Sequence, residues 1–181
     1  MHRINYIVLC IVLSACASGP YPVSSPYYQI PSGSQLVLKQ QLIIPANTGS
    51  VYIQYGKAVS DRDKDQYYAH CWFTAWTISS KPGAIEPDIF IVNSTRQEEY
   101  YVSLQMPVIL ASIHPFIISG LLFNDTPIEY STVLSIHSDK QPDIRRFTCS
   151  HWEDPSDATH LTVAQINQAL GEVAELKLNR Q

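Results

Sequence analysis

Charge is scarce in this chain. Charged side chains make up 15% of its 181 residues, where about a quarter is usual in a soluble domain. Lysine and arginine number 12 against 16 acids, for a formal net charge of −4, and they form no basic stripe along the sequence. Binding to phosphate backbones needs clustered cations, so nucleic acid is not an expected partner. The short motifs that would name a reaction are missing as well: there is no G-x-S-x-G elbow, no glycine-rich phosphate loop and no H-E-x-x-H. An uninterrupted membrane-spanning run is also lacking. Residues 106–123, MPVILASIHPFIISGLLF, hold no charge over 18 positions, but Pro107, Pro115 and Gly120 interrupt them. That stretch reads as two buried strands meeting at His114-Pro115. The functional alternatives are an exposed apolar loop that touches membrane or a partner, and the wall of a cavity for an apolar ligand.

What the chain does hold suits strands and turns. Hydrophobic residues reach 45%, with eleven tyrosines, twelve prolines and seven glycines. Over 35–44, Leu36, Leu38, Leu42 and Ile44 alternate with polar residues, as in a half-buried strand. A turn at Pro45-Ala46-Asn47-Thr48-Gly49 leads to Val51, Ile53 and Tyr55, so the two runs form a candidate hairpin. Residues 61–65 are a solvated loop whose charges fit no calcium-loop pattern. Residues 68–76 are a strongly aromatic strand. Its one face carries Ala69, Cys71, Phe73 and Ala75; the other carries His70, Trp72, Thr74 and Trp76. Further strands are expected at 89–93, 100–104, 132–137 and 144–149. The clearest helix signal comes next. Thr162 and Gln165 make a capping box, and Leu161 and Ile166 a hydrophobic staple. Val163, Ile166 and Leu170 share a face, and Gly171 ends the helix. Residues 173–178 follow as a final strand. The expected fold class is mainly β: a small antiparallel β-sandwich or barrel with one C-terminal α-helix packed on it.

The N-terminal segment reads as an address. Residues 1–16 are MHRINYIVLCIVLSAC. Arg3 gives a positive start, residues 7–13 form an apolar run too short for a stable span, and Leu13-Ser14-Ala15-Cys16 follows. This resembles the lipobox of bacterial lipoprotein signal peptides over these sixteen residues. The resemblance implies a signal peptide over 1–15, removed on export, and a diacylglycerol on the thiol of Cys16. In the Gram-negative class, Ala17 in place of an aspartate implies the outer membrane, with the domain facing the periplasm. Residues 16–34, rich in Pro, Ser and Tyr, read as an extended tether of about 50 Å at about 3 Å per residue. A single β-rich domain over 35–181 is expected beyond it.

With Cys10 lost in the signal peptide and Cys16 carrying lipid, Cys71 and Cys149 remain. An oxidising compartment makes them a disulfide pair. Their surroundings match, since Cys71-Trp72-Phe73 and Phe147-Thr148-Cys149 each put a Cys and a Phe on one strand face. A zinc site that adds His70 and His151 to the two cysteines is the competitor, but His70 and Cys71 are adjacent in a strand and point apart.

Residues 149–160, CSHWEDPSDATH, concentrate His151, Glu153, Asp154 and His160, weak candidates for a metal or acid–base cluster. Their spacing matches no helical ligand pattern. Asp154-Pro155, Ser156 and Asp157 are turn formers, so the segment reads as an exposed connection between a strand and the helix, where replacing either histidine costs little. No catalytic residue, metal or cofactor is assigned. His70, Trp72 and Trp76 are the binding candidates. The expected function is a non-catalytic binding or structural module of the cell envelope, held to the membrane by its lipid and partnered by envelope proteins. A periplasmic hydrolase or metal-binding protein using 149–160, and a carrier of an apolar ligand, are the competing classes.

Overall fold

The computed structural model describes residues 21–102, 126–157 and 159–179. Cys16 with the rest of the signal-like segment, and the apolar run 106–123, lie outside them. The strands are β1 (Gln35–Leu38), β2 (Leu42–Ile44), β3 (Ser50–Gln54), β4 (Lys57–Val59), β5 (His70–Ala75), β6 (Gly83–Ile85), β7 (Asp88–Tyr101), β8 (Ile128–His137), β9 (Ile144–Glu153) and β10 (Ala174–Lys177). Helix α1 (Val163–Leu170) precedes β10. Eight strands make one antiparallel sheet in the order β10-β1-β7-β8-β9-β5-β3-β4, curled into a half-barrel, and β2 pairs with β6 apart from it. Among the described residues no helix is long and apolar enough to cross a membrane. The mainly β fold with a helix near its C-terminal end is as the hydrophobic pattern predicts.

Period-2 alternation gives the sheet an inner and an outer face. Leu36, Leu38, Ile53, Phe73, Phe90, Val92, Leu134 and Phe147 turn inward and are almost wholly buried. Phe73 sits at their centre, with ring centroids 4.8 Å from Phe147 and 5.5 Å from Phe90. Helix α1 covers this core with Val163, Ile166, Ala169 and Leu170. Its first turn carries the capping box: the Thr162 hydroxyl accepts from Gln165 N, and the Gln165 side chain accepts from Thr162 N.

The end of α1 is fixed by a close approach of two glycines. Tyr55 and Gly56 join β3 to β4 with φ of 52° and 70°, the left-handed pair that a tight hairpin turn needs. Gly56 N donates to Ala169 O at 2.9 Å, which satisfies a carbonyl left open at the helix end. Gly171, with φ 53°, lies so near that a Cβ on it would stand 2.6 Å from Gly56 Cα.

Two irregularities set the phase of the outer face. In β7 the register with β8 slips between Val92 and Ser94, leaving Asn93 as an extra residue. In β9 the register with β5 slips so that Thr74 faces Arg146 and Ala75 faces Ile144, leaving Arg145 extra. Such bulges shift which side chains point outward.

The structure corrects three expectations. The run 35–44 is not one strand hairpinned to 51–55. It divides into β1, which pairs with β7 and β10, and β2, which pairs with β6. The chain leaves the main sheet at Lys39, whose N–H donates to Val173 O at 2.8 Å. Alternation assigns faces but not neighbours. Residues 89–93 and 100–101 belong to one long strand, because the polar stretch 94–99 is held by its ladder to β8. The spacer expected through Ser34 is bound to the domain over its latter part. Ile30 and Ser34 are buried. Thr95 Oγ1 donates to Ile30 O at 2.8 Å and Gln97 Nε2 to Pro26 O at 2.7 Å. The bulge at Asn93 is what turns Thr95 and Gln97 toward this arm.

Candidate functional site

Strand β5 carries the core on one side and the binding candidates on the other. Cys71 and Cys149 are direct cross-strand partners, are fully buried, and form a disulfide across 78 residues of sequence. Phe73 and Phe147 pair two residues along. On the outer face, His70 is 1% exposed. Its Nδ1 donates to Tyr68 O at 3.0 Å and its ring stacks on Trp72 at 5.7 Å. Burial pushes the His70 pKa down, against the pull of the Tyr68 hydrogen bond. Trp72 leans on Tyr52 at 5.6 Å. Burial, with Asp61 beside it, pushes the Tyr52 hydroxyl up to about 12. Lys64 lies over the same ring, 4.5 Å from its centroid, and pairs with Asp61.

Ser150 neighbours His70 across the ladder and Ser131 on the other side. Its hydroxyl donates to Glu129 Oε1 at 2.9 Å, and Ser131 Oγ reaches the same oxygen at 3.4 Å. The serine is thus committed to a carboxylate, and His70 Nδ1 to a backbone carbonyl.

Further along this face lies a shallow groove of about 240 Å³ lined by Trp76, Ser94, Arg96, Val133, Ser135, Arg145 and Arg146. Trp76 is 66% exposed. The Arg145 guanidinium carbon sits 3.8 Å from the Trp76 ring centroid, a stacked cation–π geometry. Arg96 pairs with Glu98. Burial works to raise the Glu98 pKa, but the Arg96 and Tyr100 hydrogen bonds and the charges of Arg96 and Arg146 outweigh it and hold that carboxyl low.

The histidines of 149–160 fall on the inner side. His151 is part of β9, opposite Tyr130. Its Nε2 donates to Thr159 O at 2.8 Å and its Nδ1 lies 3.3 Å from Glu153 Oε1. A cavity of about 290 Å³ between Tyr67, Tyr68, Leu161 and Gln165 opens onto His151 and Glu153. His160 Nε2 lies 3.5 Å from Glu99 Oε1, and its ring meets Tyr130 edge-on at 5.1 Å. Burial lowers the His160 pKa, with Glu99 opposing. Asp154 is exposed in the following turn, where its carbonyl accepts from Asp157 N. Among the described residues no three His, Cys, Asp or Glu side chains converge to hold a metal ion. The exposed connection expected here is corrected: the strand runs on to Glu153, and His151 and His160 are each 4% exposed. Their rings fill the gap between the sheet end and the helix approach, so replacing them removes buried contacts.

Sequence reasoning placed His70, Trp72 and Trp76 on one face and missed the arginines. Arg145 and Arg146 are adjacent, and adjacent strand residues point apart unless a bulge intervenes. Arg96 sits in a polar stretch that carried no strand signal. No protein-family model, curated protein or solved structure matches the chain.

Proposed function

We propose that this protein is a lipid-anchored, non-catalytic binding module of the bacterial cell envelope. In this reading Cys16 carries the acyl anchor in the inner leaflet of the outer membrane. The domain then faces the periplasm and meets envelope components through the exposed part of its outer face around Trp76. The carrying observation is the buried Cys71–Cys149 disulfide, since such bonds persist in oxidising compartments and are rare in the cytosol. The sequence Leu13-Ser14-Ala15-Cys16 supplies the route to that compartment.

Replacing Cys16 by serine tests the reading. The wild-type chain is expected in the membrane fraction of a Gram-negative host and Cys16→Ser in the soluble fraction. A Cys16→Ser chain that stays with membranes at the wild-type level refutes the anchor.

A further inference from the structure

The geometry points to an anion site on the outer face: Arg96, Arg145 and Arg146, with Ser94, Ser135 and Trp76, form a groove that takes a phosphorylated saccharide. Three of the chain's six arginines meet here, although the chain as a whole is acidic. The two bulges lie on the strands flanking β8 and bring Ser94 and Arg145 to the same face as Ser135 and Arg146. Without the slip in β7, the outward phase of Ile91 would continue to Asn93 and Thr95, and Ser94 and Arg96 would turn inward.

Charge is only partly compensated in the groove. Glu98 answers Arg96, and among the described residues neither Arg145 nor Arg146 joins a salt bridge. Arg145 Nε is buried without a hydrogen-bond partner. A buried donor left unmade is costly, and the stack on Trp76 fixes the plane of this guanidinium beside the groove. Guanidinium forks and hydroxyls match the several oxygens of a phosphomonoester, beyond the two of a carboxylate. The volume of about 240 Å³ sits below the range of about 300–1,000 Å³ for larger ligands and suits one phosphate with one sugar ring. Trp76 keeps most of its surface open, and an indole beside a phosphate site offers an apolar plane for the C–H face of a sugar.

The inference does not depend on acylation, so the fractionation result above leaves it standing. Calorimetric titration of the purified full-length chain in non-ionic detergent tests it, with glucosamine 1-phosphate, inorganic phosphate, glucosamine and glucuronate as probes. Glucosamine 1-phosphate is expected to bind at least tenfold tighter than the other three. Arg145→Gln and Arg146→Gln should each weaken it at least tenfold with unchanged thermal melts. Trp76→Ala should reduce it to the level of inorganic phosphate. Absence of phosphate-dependent binding, equal binding of glucuronate, or unaltered binding by both arginine variants overturns the site. A second arm uses the Cys16→Ser chain with phosphatidylcholine vesicles that do or do not contain a phosphorylated glucosamine glycolipid. Capture only by the glycolipid vesicles makes the ligand a membrane headgroup; binding of the free sugar phosphate alone makes it a soluble one, and either supports the site.

Discussion

Asn167 of α1 is bonded twice to the backbone of Leu176 in β10: Leu176 N donates to Asn167 Oδ1 at 2.7 Å, and Asn167 Nδ2 donates to Leu176 O at 3.1 Å. Strand β10 is the edge of the sheet, and its outward N–H and C=O would otherwise be open to another strand. One side-chain amide supplies both partners, so the helix seals the edge it lies beside.

Asn167→Ala removes both bonds. The expected cost is about 1–3 kcal/mol, the range for leaving a backbone pair unmet, with dimers or larger species appearing through the opened edge. Asn167→Asp keeps the acceptor and loses the donor, so it should fall between. Urea denaturation and sedimentation velocity read the two effects; a monomeric Ala variant of wild-type stability would show that the amide does not guard the edge.

Gly171→Ala should be worse than Gly56→Ala. Both residues have positive φ, but a Cβ on Gly171 meets Gly56 Cα at 2.6 Å, whereas one on Gly56 meets Gly171 Cα at 3.2 Å. Gly171 has φ 53° with ψ −126°, outside the left-handed helical well, so an alanine there alone costs on the order of 1–3 kcal/mol. The backbone clash adds a displacement of the β3–β4 turn from the helix. Denaturant midpoints of the two variants give the order directly.

Breaking the disulfide by Cys71→Ala with Cys149→Ala should cost about 4 kcal/mol on the chain-entropy argument for a loop of this length. The two sulfurs are in the core, so a cavity term adds to it. A peptide map made without reductant should recover Cys71 linked to Cys149, and recovery of both as free thiols would remove the covalent tie.

Acidification below neutrality should weaken the fold through two buried rings. His70 and His160 have folded pKa values lowered by burial, while the unfolded chain protonates its histidines near about 6.5. Between those values the unfolded state binds more protons, so stability falls as pH falls. The contribution is fully present above about 6.5 and is lost toward the lower folded pKa. His160→Gln should flatten the melting temperature measured from about pH 7.5 down to about pH 5. A slope as steep as wild type would assign the effect elsewhere.

Much of the fold follows from short-range pattern. Cys71, Phe73 and Ala75 face the core and His70, Trp72 and Trp76 face outward because a strand alternates by two, whatever its partners. The helix start was legible because Thr162 and Gln165 make their bonds within one turn. The matched Cys–Phe pairs on two strands pointed to the disulfide, and the structure sets them directly opposite one another in β5 and β9. What escaped was non-local. Nothing in 35–44 says that Lys39 turns out of the sheet to meet Val173. The stretch 94–99 is strand only because β8 holds its ladder. The arginine groove depends on one extra residue at Arg145, a choice made by how two distant strands meet. Ile30, amid prolines and serines, is drawn into the core by an arm whose anchors, Thr95 and Gln97, lie far away in sequence.

The Cys71–Cys149 bond also determines what a protease can do to this molecule. Everything from Trp72 to Thr148, including β6, β7, β8 and the apolar run, lies inside the covalent loop that it closes. One cut anywhere in that span opens the loop but releases no fragment, because each half still ends at the other through sulfur. A nicked chain therefore keeps its full mass without reductant and separates into two pieces only when reduced. Both pieces of a nicked protein stay joined for as long as the Cys71–Cys149 bond is not reduced.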